Sequence, residues 1–521
     1  MTQPFTITVG AQATLRGASA TLIEALKQQL TIDNPEYLEA KKYSRWMGKK
    51  LKPQLYFYSE HHEALTFPRG YANHAILLAR KFMRQDPRII DQRRSVAPVE
   101  FRFSGELRPY QEEAIAAITR HDFGVLEAGT GSGKTVIALA VIAKRRQPTL
   151  VLVHTKELLY QWAERAKTFL GLEAGLIGDG HFSLAPVTVA IVNSAKNRLA
   201  ELPSHFGQLC VDECHRVPAS LFTEVVSSFD CRYLLGLSAT AFRRDGLTKL
   251  IYMSLGDRAC AVDNFDLQAS GAVLKPEYLQ RATEFRYVYR GNYQALMKAL
   301  TTNAERNQLI VSDILKERAI TDHEVCPKRS NNHEISGHRV PQVAAHPEGI
   351  SFARADKLPS SAISGTAMRT FVREPDRSSQ DVVPCDRLQR AATPGTILVV
   401  SDRVKHCEAL AVMLEQQGCS SAVLTGKLPA EQRTALVEAI RQGEVKVLIS
   451  TVQLIGEGFD CPDLTTLFLT TPIKFTGRLL QVVGRVLRPA HGKQPRVYDY
   501  VDPVGVLSSS AQSRWLTFQR E

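Results

Sequence analysis

Three groups of residues in this 521-residue chain have the types and spacing for phosphoryl chemistry. The first is Ala128-Gly129-Thr130-Gly131-Ser132-Gly133-Lys134-Thr135, preceded by the apolar run Phe123 to Leu126 and followed by the helix-forming run Val136 to Ile142. This reads as strand, glycine loop, helix. The glycines let the backbone turn tightly and aim its N–H groups inward, and the helix N-terminus adds positive potential where a polyphosphate would sit. Lys134 would reach the β- and γ-phosphates, and the Thr135 hydroxyl would hold Mg²⁺. The second group is Asp212-Glu213, at the end of the apolar run Leu209 to Val211, where a parallel sheet places its site residues. Asp212 would complete the Mg²⁺ shell, and Glu213 would orient and deprotonate the attacking water, because phosphoryl transfer needs a positioned nucleophile. The third is Arg485 and Arg488, three apart and so on one face of a helix; either could be an arginine finger against the γ-phosphate. Gly458 and Asp460, in the loop Gly456 to Asp460, could approach the nucleotide closely, although an ordinary strand-to-helix turn needs the same glycines.

The elements that must position these residues follow from periodicity. From Phe101 onward, short apolar runs alternate with helical stretches: Thr149 to His154, Val187 to Val192, Leu209 to Val211 and Tyr233 to Leu237, with a helix at Lys156 to Leu170. A second series comprises Ile397 to Val400, Ala422 to Leu424, Val445 to Ile449, Leu467 to Leu469 and Val497 to Tyr500. Continuous apolar strands alternating with helices predict parallel sheets covered on both faces, hence an α/β chain with two lobes. Residues 1–100 form a small accessory domain, in which Leu55 to Tyr58 and Ala64 to Pro68 read as two strands around a turn. His61-His62-Glu63 between them reads as a solvated turn rather than a metal or nuclease centre, since no partner ligands stand at metal spacing. We therefore expect a first lobe over 101–260, a connecting helical segment over 261–320, a second lobe over 396–505 and a tail over 506–521. Residues 321–395 carry seven prolines with many Ser, Arg and Asp and no sustained period, which predicts a disordered insertion. Cys326, His333, His338, His346 and Cys385 match no common zinc spacing.

Composition narrows the setting. A net charge of +12 favours an anionic partner, with nucleic acid ahead of membrane because no basic amphipathic anchor stands out. Nine cysteines without a CxxC pair fit a reducing cytosol. No apolar run approaches the roughly 20 residues of a membrane span, and the start of the chain lacks the basic and apolar regions of a signal peptide. The expectation is a cytoplasmic protein.

Taken in order, Arg108-Pro109-Tyr110-Gln111, the loop 128–135, Val211-Asp212-Glu213-Cys214-His215, Ser238-Ala239-Thr240, Gly456 to Asp460 and Gln481-Val482-Val483-Gly484-Arg485-Val486-Leu487-Arg488 resemble the motif set of superfamily 2 helicases. The resemblance covers about residues 100–320 and 395–505 and is closest to the XPB-like and restriction-helicase-like branch; strict DEAD is absent. Ala128, where the general P-loop pattern has glycine, is a departure familiar in helicases. The resemblance implies two RecA-like P-loop NTPase lobes, with ATP and Mg²⁺ in the cleft between them. It implies that Gln111 and Arg108 recognise adenine, and that Ser238, Thr240, His215 and Gln481 couple hydrolysis to lobe movement. It also implies that Thr155, Lys156, Asn193, Ser194, Ser401, Arg403, Thr425, Gly426 and Thr451 line a nucleic-acid path, although such residues are also default loop formers. Arg243-Arg244-Asp245 resembles a charged loop that assists strand separation, or is a plain salt-bridged loop. The expected activity is ATP-driven translocation or unwinding, on DNA before RNA. The alternatives are a non-unwinding translocase subunit of a restriction, repair or defence assembly with a nuclease or repair partner, and a passive nucleic-acid-binding protein.

Overall fold

The computed structural model describes residues 4–42, 51–216, 219–239, 243, 246–324, 395–426, 428, 430–456, 464–473, 476–489 and 493–520. Thr240, Arg244, Asp245, Gly458 and Asp460 lie outside the described residues, as do Cys326, His333, His338, His346 and Cys385.

The first large sheet has eight strands in the order His181–Phe182, Gly175–Gly178, Val187–Ile191, Thr149–Val153, Gln208–Val211, Tyr233–Ser238, Phe123–Ala128, Arg258–Val262. All neighbours are parallel except the short His181–Phe182 hairpin strand. The central strands are buried along their whole length, which is why they appear in the sequence as unbroken apolar runs. The strand Gln208–Val211 lies between Thr149–Val153 and Tyr233–Ser238, with Val211 opposite Leu152 on one side and Gly236 on the other. Asp212 and Glu213 therefore emerge between the chain leaving Val153 and the strand end at Ser238.

The second large sheet is wholly parallel, in the order Glu277–Ala282, Arg496–Val501, Leu464–Leu469, Thr396–Ser401, Val447–Thr451, Ala422–Leu424. The strand Glu277–Ala282 thus belongs to this sheet, although its sequence precedes the insertion. The helices Tyr293–Thr302 and Ala304–Glu324 follow it, the latter running through the first four residues of the stretch read as disordered. The last helix, Gly505–Arg520, packs back on the strand Arg496–Val501. Among the described residues, no helix is long and apolar enough to cross a membrane.

Residues 1–100 build a five-stranded sheet in the order Ser59–His61, Ala64–Pro68, Gln12–Arg16, Thr6–Val9, Arg88–Asp91. The hairpin differs from the sequence expectation. Ala64–Pro68 pairs with Ser59–His61 through a two-residue turn in which His62 and Glu63 both have positive φ, at 45° and 60°. Gln54–Tyr56 pairs instead with Thr31–Asp33. The tight turn takes up the residues between the two apolar runs, so the first run is released to a second, separate ladder.

This domain is joined to the first lobe by a buried contact. The Arg69 guanidinium, 1% exposed, donates from Nη1 to the carbonyls of Cys231 at 2.6 Å and Gly10 at 3.1 Å, and lies 5.2 Å from the Phe123 ring centroid. Beside it, Gly70 meets the backbone of the helix Thr248–Leu255: a Cβ there would lie 2.4 Å from Gly256 N and 2.7 Å from Met253 O. Only glycine permits this approach. We expect Gly70→Ala to cost about 1–3 kcal/mol, the usual range for overpacking a tight contact. A urea unfolding midpoint equal to that of the parent protein would show that the two domains do not press together there.

Candidate active site

The glycine loop joins the strand Phe123–Ala128 to the helix Lys134–Arg145, with Gly131 at φ 94° and Gly133 at φ 76°. Those left-handed values are open to glycine at no steric cost and turn the loop around an anion-sized space. Ser132 is completely buried and its Oγ donates to Gly129 O at 2.7 Å, closing the loop on itself. Lys134 Nζ donates to Ala128 O at 3.0 Å, so the ammonium rests on the loop's own carbonyls. Gln111 is buried, with Nε2 donating to Ser132 O at 3.1 Å and Oε1 accepting from Arg108 N–H at 3.0 Å. Tyr110 OH donates to the same Ser132 carbonyl at 3.0 Å. The segment Arg108–Gln111 therefore braces the loop from behind, and each Gln111 amide atom retains a second hydrogen-bonding valence.

Asp212 and Glu213 follow the strand Gln208–Val211. Asp212 is 6% exposed; its Oδ2 accepts from Trp162 Nε1 at 2.8 Å and its Oδ1 from Glu213 N–H at 2.9 Å. Burial and the neighbouring Glu213 charge push the Asp212 carboxyl well above the usual aspartate range. Burial also acts upward on Glu213, but Lys134 and other nearby cations outweigh it and hold that carboxyl below its ordinary value. Glu213 has a positive φ of 45°, and its buried Oε2 accepts no hydrogen bond among the described residues. An unsatisfied carboxylate oxygen aimed into a cleft is available to hold a water molecule. His215, driven down to about 4 chiefly by burial, is neutral at physiological pH; its Nδ1 shares a 2.9 Å hydrogen bond with Ser238 Oγ and lies 3.4 Å from Glu213 Oε2.

The second lobe reaches this site through the helix Thr476–Val486, which carries Gln481. Gly484 packs on the loop so closely that a Cβ would lie 2.5 Å from Thr130 Cβ. The next residue, Arg485, is half-buried: its Nε is shielded from solvent and has no hydrogen-bond partner among the described residues, and desolvation lowers it to about 10 while the Glu213 charge works the other way. Arg488 is likewise lowered to about 10 by burial and by Arg165. Both remain cations at neutral pH. The structure thus brings Lys134, Asp212, Glu213 and Arg485 together from two lobes. Beside them a cavity of about 540 Å³ opens on Gly129 and Thr130 and is walled by Val483, Gly484, Tyr278, Trp515 and Phe518.

The remaining predicted residues stand at the carboxyl ends of the parallel strands. Thr155 caps the helix Lys156–Leu170, its side chain accepting from Leu158 N–H at 3.3 Å, and Lys156 is exposed. Asn193 and Ser194 lie on the short helix Val192–Lys196. Arg403 follows the strand Thr396–Ser401, and its guanidinium donates to Gln294 Oε1. Thr425 and Gly426 follow Ala422–Leu424, and Thr451 ends Val447–Thr451. Arg243 is buried, 2% exposed, with its N–H donating to Thr248 Oγ1 at 3.1 Å, so it is not a solvent-facing wedge. Tyr110 belongs to the stretch Arg108 to Gln111 singled out in the sequence, whereas Trp162 carries no signal there, because a tryptophan at a helical apolar position reads as core.

Two family models match the chain: "Type III restriction enzyme, res subunit" over residues 104–243 and "Helicase conserved C-terminal domain" over 382–490. These two matches lie on the lobes that supply the two halves of the cleft. The chain belongs to superfamily 2 of the helicases. It is an ATP-hydrolysing helicase of that superfamily. It is 25% identical over 383 residues to the DNA 3'-5' translocase XPB2 of Sulfurisphaera tokodaii, covering 74% of this chain and 79% of that protein. It is 27% identical over 225 residues to the DNA 3'-5' helicase XPB of Kineococcus radiotolerans, covering 41% and 39% respectively. Among solved structures, that of UvsW from bacteriophage T4 covers 95% of this chain and 90% of its own, with 15% identity and a TM-score of 0.38.

The Trp162 bond favours the charged form of Asp212, so its loss matters most where Asp212 is ionised. We expect Trp162→Phe to destabilise the nucleotide-free helicase by about 1–3 kcal/mol at pH 8. Part of that loss should disappear as the pH falls through the raised Asp212 value and the carboxyl protonates. Urea unfolding of both proteins at pH 8 and pH 5 tests this; an equal difference at the two pH values would mean that the bond does not sense the charge.

Proposed function

We propose that this helicase is a nucleic-acid-stimulated ATPase that moves along DNA, using ATP with Mg²⁺ in the cleft and strand contacts along the carboxyl ends of both sheets. The observation that carries the reading is the convergence of Lys134, Asp212 and Glu213 from one lobe with Arg485 from the other on a single buried site. Neither lobe holds a complete set.

ATP is the substrate. The loop N–H groups and Lys134 bind its phosphates once the ammonium leaves the Ala128 carbonyl. Thr135 and Asp212 offer hard oxygen donors, which suit Mg²⁺, and each Asp212 oxygen retains acceptor capacity after its one hydrogen bond. Bound there, Mg²⁺ supplies charge neutralisation on the β- and γ-phosphates. Glu213 holds and deprotonates the attacking water with its unengaged Oε2. Arg485, desolvated and near Glu213, stabilises the charge spread over the transferring phosphoryl group; Arg488 lies two residues past the end of its helix, in a bend, and not on one helix face with Arg485 as the spacing predicts. Gln111 and Arg108 recognise the base. Because the arginines come from the second lobe, catalysis requires closure and product release allows reopening. His215 and Ser238, joined by their hydrogen bond, carry the change, together with Thr240 and Gln481.

Thr155, Lys156, Asn193 and Ser194 on one lobe and Arg403, Thr425, Gly426 and Thr451 on the other hold the strand through its backbone, so that each cycle advances one lobe relative to the other. The preference for DNA is supported by the names of the XPB relatives, while the +12 charge suits either nucleic acid. A nuclease or repair partner is consistent with the restriction-subunit family match, and the absence of strand separation would place the protein in such an assembly as a translocase.

Steady-state ATP hydrolysis should be strongly stimulated by single-stranded or forked DNA and abolished in Lys134→Ala. Glu213→Gln should bind ATP without turning it over, and Arg485→Ala should lower kcat by roughly 10³. Stimulation by matched RNA alone would reassign the substrate, and turnover in Glu213→Gln at the parent rate would remove Glu213 from the mechanism.

A further inference from the structure

One half-buried group beside the cleft has no role in the chemistry above. His154 immediately follows the strand Thr149–Val153. Its two ring nitrogens are shielded from solvent, and neither has a hydrogen-bond partner among the described residues. His154 as a residue is half-buried, but an imidazole whose two nitrogens are both shielded and unpaired is costly in a folded protein and calls for an explanation. Its position supplies one. The parallel register sets Val211 opposite Leu152, and Asp212 N–H donates to Leu152 O at 2.9 Å, so continuing the two chains places His154 alongside Glu213. Glu213 Oε2 is itself shielded and accepts no hydrogen bond among the described residues, His215 Nδ1 at 3.4 Å being engaged with Ser238. A neutral imidazole offers one N–H donor and the carboxylate lacks one, so the two unsatisfied groups are complementary neighbours. Burial drives the His154 ring down to about 4, which keeps it in the neutral form that this pairing uses.

The same stretch of chain also faces solvent and the other carboxylate. His154 precedes Thr155 and the exposed Lys156, the cap and first residue of the helix Lys156–Leu170. Lys156 is lightly held, its Nζ 3.9 Å from Asp179 Oδ1 with half of the side chain exposed. Two turns along the same helix, Trp162 donates to Asp212. One helix and the residue before it thus touch the strand-facing edge, Asp212 and the neighbourhood of Glu213.

We propose that His154 is the positioning residue that reports strand binding to the catalytic carboxylate: a strand seated on Thr155 and Lys156 shifts the head of this helix so that the imidazole donates to Glu213 Oε2 and fixes the carboxylate for its water. No covalent or proton-transfer step is involved. The proposal rests on the motor reading for its strand contacts, and it concerns the ratio of stimulated to unstimulated rate rather than the chemistry itself.

The test uses the full chain with saturating ATP, with and without an oligodeoxythymidylate, in His154→Leu, His154→Asn and His154→Gln. The leucine variant fills the site without a donor, while asparagine and glutamine place an amide N–H near the Nδ1 and Nε2 positions. The expected result is a stimulation ratio about tenfold lower in His154→Leu, expressed in kcat rather than in KM for ATP, and partly restored in whichever amide variant matches the donating nitrogen. An unchanged ratio in all three variants overturns the proposal. So does an equal loss of stimulated and unstimulated rates in the leucine variant, or a ratio in both amide variants no better than in leucine. Absence of stimulation in the parent protein by DNA and RNA alike is a different failure, that of the motor reading.

Discussion

Two carboxylates buried side by side at the end of a strand are the constraint around which this molecule is arranged. Asp212 and Glu213 cannot both carry charge in a shielded site unless cations and donors are supplied to them. The first lobe gives one indole N–H, one backbone N–H and the Lys134 ammonium. Those contacts leave Asp212 shifted upward and Glu213 Oε2 without a hydrogen bond. The deficit is what makes the second lobe necessary. A guanidinium arriving with the helix Thr476–Val486 meets a site that is electrostatically incomplete, and Arg485 is desolvated on arrival. A group desolvated before the chemistry needs little reorganisation during it.

An arginine placed from another lobe is useful only if that lobe holds its shape. The second lobe is crossed by buried ion pairs: Arg306 with Asp502 at 2.7 Å, Arg514 with Asp499 at 2.8 Å, and Arg496 with Glu317 at 3.1 Å. Each links the sheet, at or just past its strand Arg496–Val501, to a helix outside its core, either Ala304–Glu324 or the terminal Gly505–Arg520. A neutral hydrogen-bonded chain runs alongside them, from Ser401 Oγ through both nitrogens of His406 to Asn307. Buried pairs of this kind add little net stability over apolar contacts, but they penalise any arrangement that separates them. Their effect here is to fix the connecting helices and the terminal helix to the sheet, so that the lobe moves as one piece with its arginines.

How much of this was legible in the sequence depends on whether a residue's environment leaves a periodic trace. Central strands such as Thr149–Val153 and Thr396–Ser401 are buried along their length and appear as plain apolar runs. The helix Lys156–Leu170 is bounded by a capping Thr155 and a left-handed Gly171, signals that sit in the sequence itself. By contrast, Arg258–Val262 and Glu277–Ala282 lie at sheet edges, are half exposed and carry arginines, glutamate and glutamine, so no run marks them. The glycine loop and Asp212-Glu213 announced themselves through residue types that few other settings require. Trp162 did not, because its ring is core and only its Nε1 meets Asp212. Arg69 was equally hidden, since nothing local says that an arginine after a strand will be buried against another domain's carbonyls.

The two kinds of contact between parts of this chain differ in a way that suits a motor. The N-terminal domain meets the first lobe through a buried guanidinium with two carbonyl acceptors and a glycine pressed on backbone; separating them would strand a desolvated charge. Between the lobes, Gly484 packs on the side chain of Thr130, a contact with no charge committed to it. The cation that does cross the cleft, Arg485, leaves its Nε without a partner in this arrangement. A joint whose crossing cation awaits a partner lets the binding and release of nucleotide bear on which state the lobes occupy.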